Sequence, residues 1–300
     1  VPGTLTSGPL YDAVSPYGYP GPLIRCAEPD KEAFTVAALT GMMKSLAEKG
    51  VIALFARFHP TLEVPLQPFR SLGVVVQNGE SVSMDLSLSD EAAWAQFHPD
   101  HRRKIRRALD DGGEAFIDTH WRHFDDFERI YSETMVRRDA NSFYFFPRTY
   151  FERLKALLGD KLQLCIVRME GQIAAVGLVT ESGGVLQGYL NGTRAEFVRK
   201  SPTLLLYEGV RRWAKERGNR IFHLGSGVGG KRDSLFEFKA RFSMLRHPFY
   251  TWRLVVNESA YQAVVKQWET ATGLPSGAET GFFPIYRRPA SMEYFAGGDL

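Results

Sequence analysis

Residues 201–242 read SPTLLLYEGVRRWAKERGNRIFHLGSGVGGKRDSLFEFKARF, and this stretch decides the fold. Ser201 followed by Pro202 is a helix start: a side chain able to cap, then a proline where the amide has no intrahelical partner. Leu205, Leu206, Gly209, Val210 and Trp213 recur at helical spacing, so an amphipathic helix is expected over 203–216, closed by Gly218. Ile221-Phe222-His223-Leu224 reads as a short buried strand. Gly225-Ser226-Gly227-Val228-Gly229-Gly230 follows, a loop nearly without side chains, where backbone amides can approach a ligand. Asp233-Ser234 then caps a short helix carrying Leu235, Phe236, Phe238, Lys239 and Phe242, and a helix start offers positive charge to an anion. Leu235, Phe238 and Phe242 are expected to form its core-facing stripe, with Lys239 beside it. Helix, strand, glycine loop and capped helix make a ligand-binding arrangement.

Upstream, 162–169, 173–180 and 185–191 are three consecutive strands, turned at Glu170-Gly171 and Ser182-Gly183-Gly184. A strand at 114–118 and a helix at 124–138 precede an aromatic segment, Phe143-Tyr144-Phe145-Phe146-Pro147, and a further helix to residue 158. Residues 89–111 are helical and broken at Pro99. There Arg102, Arg103, Lys104, Arg106 and Arg107 crowd one helix with no acid among them; a solvated face and a phosphate-binding face both fit. Nearer the start, 32–48 is a helix ended by Gly50, 51–58 a strand, and 71–77 with 81–86 a hairpin around Asn78-Gly79. Residues 8–23 are rich in proline, glycine and tyrosine and form a turn-rich segment, either a structural loop or a pocket wall. Beyond the glycine loop, 251–256 is a strand and 258–270 a helix, and 276–300 is irregular, with 282–287 as a docking strap.

With 44% hydrophobic and 24% charged residues, the 300-residue chain is an ordinary soluble globular sequence able to bury a substantial core. A net charge of +3 is too small to imply nucleic-acid binding by itself. Cys26 and Cys165 lack metal or redox spacing and are expected as reduced, buried thiols. The seven histidines form no ligand pair, so no metal is assigned. The glycine loop has neither the lysine spacing of a phosphate-binding Walker loop nor the early position of a dinucleotide fingerprint. No secretory leader or long apolar run is present, which reads as cytoplasmic with nothing spanning a membrane. The chain begins at Val1 rather than at methionine, as expected of a chain with a piece missing ahead of it.

The glycine loop with the Phe-Lys-x-x-Phe element of Phe238, Lys239 and Phe242 resembles the Fem family, the FemABX peptidoglycan-bridge aminoacyl transferases and their relatives. Three earlier segments resemble the same family: Arg102-Arg103-Lys104-Ile105-Arg106-Arg107-Ala108, the run from Tyr144 to Leu154, and Tyr189-Leu190-Asn191-Gly192-Thr193. The resemblance covers about 92–242. It implies an α/β (α+β) chain of two tandem GNAT-like domains, with mixed, mostly antiparallel sheets flanked by helices. Segments 1–113, 114–256 and 257–300 would be the first domain, the second domain and a C-terminal piece packing back. The resemblance also implies an N-acyltransferase that forms an amide bond. Its aminoacyl group would come from aminoacyl-tRNA, with no cofactor, and pass to an amine on a cell-wall precursor or similar nucleotide-sugar or lipid-linked acceptor. Lys239 is the residue such enzymes place at the reacting carbonyl. Arg102, Arg103, Arg106, Arg138, Tyr144, Tyr189, Asn191, Gly225, Ser226, Gly227, Gly229, Gly230 and Ser234 are the substrate-binding candidates. Two departures stand out. No heptad run supplies the coiled-coil arm of the bridge enzymes. In addition, Arg199-Lys200-Ser201-Pro202-Thr203 has no glycine where an acyl-CoA enzyme holds pyrophosphate, and Pro202 has no amide to donate. An acyl-CoA-dependent N-acyltransferase and a non-catalytic module holding a nucleotide-sugar or RNA are the alternative readings.

Overall fold

In the computed structural model, which describes residues 8–26, 31–277 and 281–288, the chain opens with β1 (Tyr11–Val14), α1 (Lys31–Glu48), β2 (Val51–Arg57), α2 (Leu66–Leu72) and β3 (Val74–Asp85). It continues with α3 (Asp90–Gln96), α4 (Pro99–Asp110), β4 (Glu114–Ile117), α5 (Phe124–Arg137) and α6 (Arg148–Leu158). Then come β5 (Leu162–Met169), β6 (Gln172–Ser182), β7 (Val185–Thr193) and α7 (Pro202–Glu216). The last elements are β8 (Ile221–Gly225), α8 (Ser234–Ala240), β9 (Arg246–Val255) and α9 (Glu258–Thr272).

The chain forms two compact units. One comprises the described residues of Val1–Glu80, Gly227–Arg232 and His247–Leu300; the other is Ser81–Ser226 with Asp233–Arg246. This divides the chain differently from the segments 1–113, 114–256 and 257–300. Gly112-Gly113 lies inside the second unit, in the turn between α4 and β4.

In the second unit the strand order is β3-β8-β7-β6-β5-β4. The β4–β5, β5–β6 and β6–β7 pairs are antiparallel, β7–β8 is parallel and β8–β3 antiparallel. The one parallel pair exists because α7 carries the chain back before β8 begins, the only short route between parallel neighbours. Strand β5 is buried on almost every residue, as its mostly apolar run LQLCIVRM, interrupted only by Gln163 and Arg168, favours. On one sheet face Val82, Met84, Val167, Ala175, Leu186, Phe222 and Leu224 meet Leu205, Leu206, Tyr207 and Val210 of α7. Helix α7 lies close because Gly209 carries no side chain; a Cβ there would stand 2.5 Å from that of Ala115. Helices α5 and α6 pack on β6–β7 and β5 respectively.

In the first unit the order is β1-β2-β9-β3. Phe58, Phe69, Trp252 and Leu254 form the core with Leu39 of α1, and Trp252 Nε1 donates to the Phe69 carbonyl at 3.0 Å. The expected strap is present: Ile285 packs with Tyr261 and Val265 of α9, and Arg287 Nε bonds Asp12 at 2.7 Å. Residues 1–7, 27–30, 278–280 and 289–300 lie outside the described residues, and with them Val1 and the end of the irregular tail.

Three local expectations need correction. Asn78-Gly79 is no hairpin turn: β3 runs unbroken through it. The glycine is required there by close backbone approach, since a Cβ on Gly79 would stand 2.0 Å from the Gly230 carbonyl oxygen. Ser201 precedes α7 but makes no side-chain cap bond; it sits at φ 54, ψ 48, so its side chain is not aimed at the helix amides. The turn-rich segment 8–23 hides a strand, β1, parallel to β2. The break at Pro99 is as expected: α3 is capped by Ser89 Oγ accepting from the Ala92 amide, and α4 starts afresh with Pro99 behind His98.

Candidate active site

The second unit has an opening built into its strand pairing. Strands β7 and β8 are paired only over Val185–Gln187 and Ile221–His223, whereas β7 stays paired with β6 to Thr193. Beyond His223, therefore, β7 and β8 part. Just past the parting the β6–β7 register slips: Val179 faces Gly188 but Leu178 faces Leu190, which leaves Tyr189 in a bulge. Such a bulge re-aims side chains. The Tyr189 hydroxyl is hydrogen-bonded to that of Tyr150 on α6, and burial pushes the Tyr189 phenol pKa well above its usual range. Asn191 Nδ2 donates to the Tyr207 hydroxyl of α7 at 3.2 Å, and burial raises that phenol to about 12.

Strand β8 ends at Gly225, φ 82, which turns the chain so that Ser226 is buried. Helix α8 is started by Asp233, whose Oδ1 accepts from the Phe236 amide at 2.9 Å. Its buried face is Phe236, Lys239 and the following Phe242; Phe238 is half-buried, and Leu235 is 38% exposed rather than part of the stripe. Lys239 thus lies on the buried face itself, only 8% exposed, and its Nζ donates to the Ser226 carbonyl at 2.5 Å. Burial lowers the ammonium pKa to about 8, with Asp233 pulling the other way. A cation held dry on a backbone carbonyl, with part of its hydrogen-bonding capacity left over, is suited to a developing oxyanion.

Gly227, Gly229 and Gly230 belong to the first unit. They form a single tight turn, with Gly229 at φ 61 and Gly230 at φ 80. A Cβ on Gly230 would stand 2.7 Å from the Asn78 carbonyl oxygen, so the main-chain approach to β3 accounts for that glycine. Ser234 is exposed at the first turn of α8.

The basic helix is α4, and its charges are less alone than the sequence implied. Asp100 pairs with Arg103 at 2.5 Å and Lys104 at 3.1 Å, which holds its carboxyl down at about 2, and Asp111 reaches Arg107 at 3.6 Å. Among the described residues Arg102 and Arg106 have no ion pair; the Arg106 guanidinium lies 5.5 Å over the Trp94 ring. On the inner side His101 is buried against Phe238 and Phe242, its Nδ1 without a partner, and burial drops its pKa to about 4. Arg138 ends α5 in solvent, and the Tyr144 carbonyl accepts from the Tyr131 hydroxyl at 2.8 Å. The candidates therefore fall into groups: Lys239 with Ser226 and Gly225, the Tyr189–Asn191 bulge, the arginines of α4, and the Arg138–Tyr144 corner.

Sequence reading missed a buried polar chain in the same unit. His223 Nδ1 lies 2.5 Å from Gln187 Oε1, and its Nε2 2.8 Å from Ser81 Oγ. The available signal was one imidazole inside an otherwise apolar strand. Cys165 is buried as expected, and its thiol pKa is pushed above the usual range; Cys26 is half-buried. Among the described residues no group of His, Cys, Asp and Glu could hold a metal ion. No described helix is long and apolar enough to cross a membrane.

Comparison with known proteins gives a family model and a fold. Residues 95–239 match the model of an acetyltransferase (GNAT) domain. The structure resembles that of FemX at TM-score 0.64 and 14% identity, covering 78% of this chain and 79% of FemX. It also resembles the C-terminal domain of a putative lysylphosphatidylglycerol synthetase from Agrobacterium fabrum, at TM-score 0.55 and 17% identity over 81% of this chain and 79% of the other. L-PGS from Bacillus licheniformis follows at TM-score 0.53 and 16% identity, over 77% and 74%. No curated protein sequence matches the chain. Residues 95–239 thus match a GNAT domain model, and the parting strands, the bulge and the α7 crossover lie within that span, in a chain with a FemX-like fold.

Proposed function

We propose, on the premise that this chain carries a GNAT domain at 95–239 and has a FemABX-like fold, that it is an N-acyltransferase which forms an amide bond by taking an aminoacyl group from aminoacyl-tRNA. The observation that carries this reading is Lys239, a buried ammonium held on the Ser226 carbonyl just after the strand that parts from β7. The acceptor amine attacks the ester carbonyl carbon of the donor. A C–N bond forms, and the carbonyl oxygen becomes an oxyanion beside Lys239. Collapse breaks the C–O bond to the ribose; the amine gives up one proton and the departing ribose oxygen takes up one. The acceptor is an amine on a cell-wall precursor or a similar nucleotide-sugar or lipid-linked molecule. The names FemX and lysylphosphatidylglycerol synthetase, borne by neighbouring folds, support aminoacyl transfer as the chemistry.

An acyl-CoA donor is the second reading, favoured by the acetyltransferase name of the domain model. Against it, the segment before α7 offers Ser201 and Pro202 where pyrophosphate needs amide donors, and Thr203 Oγ1 is engaged with Thr193 Oγ1 at 2.7 Å. Incubation with a mixed aminoacyl-tRNA pool, and separately with acetyl-CoA, in the presence of amine acceptors should give new amide products by mass spectrometry with the tRNA pool alone. Products only with acetyl-CoA, or stoichiometric low-micromolar binding of CoA by calorimetry, would overturn the donor assignment. Retention of a nucleotide-sugar without turnover of either donor would leave a binding module.

A further inference from the structure

Gln187, His223 and Ser81 stand on the three neighbouring strands β7, β8 and β3, and their hydrogen bonds run in one direction. Gln187 Nε2 donates to the Gly188 carbonyl at 2.7 Å, which turns the amide oxygen toward His223. An amide oxygen only accepts, so His223 Nδ1 carries a hydrogen. In the neutral ring Nε2 then accepts from the Ser81 hydroxyl. The chain reads Ser81 O–H to His223, His223 N–H to Gln187, Gln187 N–H to the Gly188 carbonyl. His223 and Ser81 are both 0% exposed, so a break in the chain leaves polar atoms stranded away from water.

Its place in the strand pairing is what makes it informative. Gln187 opposite His223 is the last rung of the parallel β7–β8 pair, Gly188 is the last residue before the slipped register, and Tyr189 is the bulge. We propose that His223, acting through Gln187, is a positioning residue for acyl transfer. It ties the last rung to β3 and holds the Gly188 carbonyl, so the strands part at that point and Tyr189 turns toward Tyr150. This rests on the reading of the parted strands as the acyl-transfer site.

The test separates positioning from plain stability. His223→Leu alone strands Ser81 and Gln187 and should lower Tm. The triple variant Ser81→Ala, Gln187→Leu, His223→Leu removes every side-chain member together and leaves only the half-buried Gly188 carbonyl, a change that can be near neutral in stability, so its Tm should return to within a few degrees of the wild type. With the aminoacyl-tRNA pool as donor, that refolded variant should still lose roughly ten- to a hundredfold in kcat/KM, as expected when reacting groups are misplaced by about an ångström. Imidazole nitrogen NMR of the wild type should report the neutral Nδ1–H tautomer, and the Tyr189 and Tyr150 ring signals should move in the triple variant. Restored Tm with unchanged kcat/KM, or an Nε2–H tautomer, would overturn the proposal. If the wild type turns over no donor, the proposed function falls, and the ring signals decide the positioning: shifted rings uphold it and unshifted rings sink it.

Discussion

Lys239 is expensive for the fold to hold. Its pKa falls from 10.5 to about 8, which at about 1.4 kcal/mol per unit corresponds to roughly 3 kcal/mol against the charged form. The bond to the Ser226 carbonyl offsets much of this, since a carbonyl left bare in the interior costs about 1–3 kcal/mol. Lys239→Met loses both effects together, and we expect its Tm at pH 7 to stay within a few degrees of the wild type, read by thermal denaturation. Between the folded value near 8 and the unfolded value of 10.5 the unfolded chain binds more protons, so Lys239 makes wild-type stability rise with pH in that window, and the Met variant should lack the rise. In the enzyme, loss of the ammonium should give turnover a falling limb above pH 8. At this scale the sequence spoke through motif: Phe238, Lys239 and Phe242 mark the lysine. It misassigned the stripe because Leu235 and Phe236 are neighbours about 100° apart on the helix and both apolar, and only the tertiary packing that buries Phe236 in the core shows which of them faces inward. The chain from Ser81 to Gln187 was illegible, since its members are single polar residues on three strands, brought together by the α7 crossover and the long-range β3–β8 pairing.

Among the elements, α4 carries the clearest electrostatic prediction. Arg103 is tied to Asp100, whereas Arg102 and Arg106 have no ion pair among the described residues. We expect Arg102→Gln with Arg106→Gln to weaken tRNA binding and flatten its salt dependence by about two phosphate contacts, whereas Arg103→Gln should matter less. Equal effects from all three, or none, in a salt titration of binding would count against α4 as the phosphate face. Strand β3 supplies a stability prediction. With 2.0 Å between a Cβ on Gly79 and the Gly230 carbonyl oxygen, Gly79→Ala should destabilise by about 2 kcal/mol or more in urea denaturation, and a neutral result would refute the close approach. Strong periodicity and proline made most elements readable, including α7, the three-strand meander β5–β7 and the restart at Pro99. Asn78-Gly79 misled because the same dipeptide serves a turn and a tight main-chain contact, and sequence has no means of showing that the turn at Gly230 comes up against it.

For the whole molecule, three histidines give a pH dependence. Burial lowers the pKa of His59 and His101 to about 4, and that of His247 below its ordinary 6.5. The unfolded chain takes up protons first as pH falls, so the stability these neutral rings contribute is fully present above 6.5 and is lost on the way down to about 4. His101→Phe, which keeps the aromatic contact with Phe242, should flatten that decline in urea midpoints measured between pH 7 and 4.5; an unchanged slope would mean His101 titrates normally. At this scale the mixed, mostly antiparallel α/β class and its GNAT order were legible. The division into units was not. It depends on residues 227–232 and the described residues from 247 onward packing with the described residues of the first 80, a long-range choice that no local glycine pair announces.

Single-turnover transfer from aminoacyl-tRNA to an amine acceptor, compared between the wild type and folded Lys239→Met, reads the role of the buried ammonium. Removal of one preorganised donor to an oxyanion should cut the rate roughly a hundred- to a thousandfold, with donor affinity changed much less. A Lys239→Met protein that transfers at the wild-type rate would show that Lys239 does not stabilise the oxyanion.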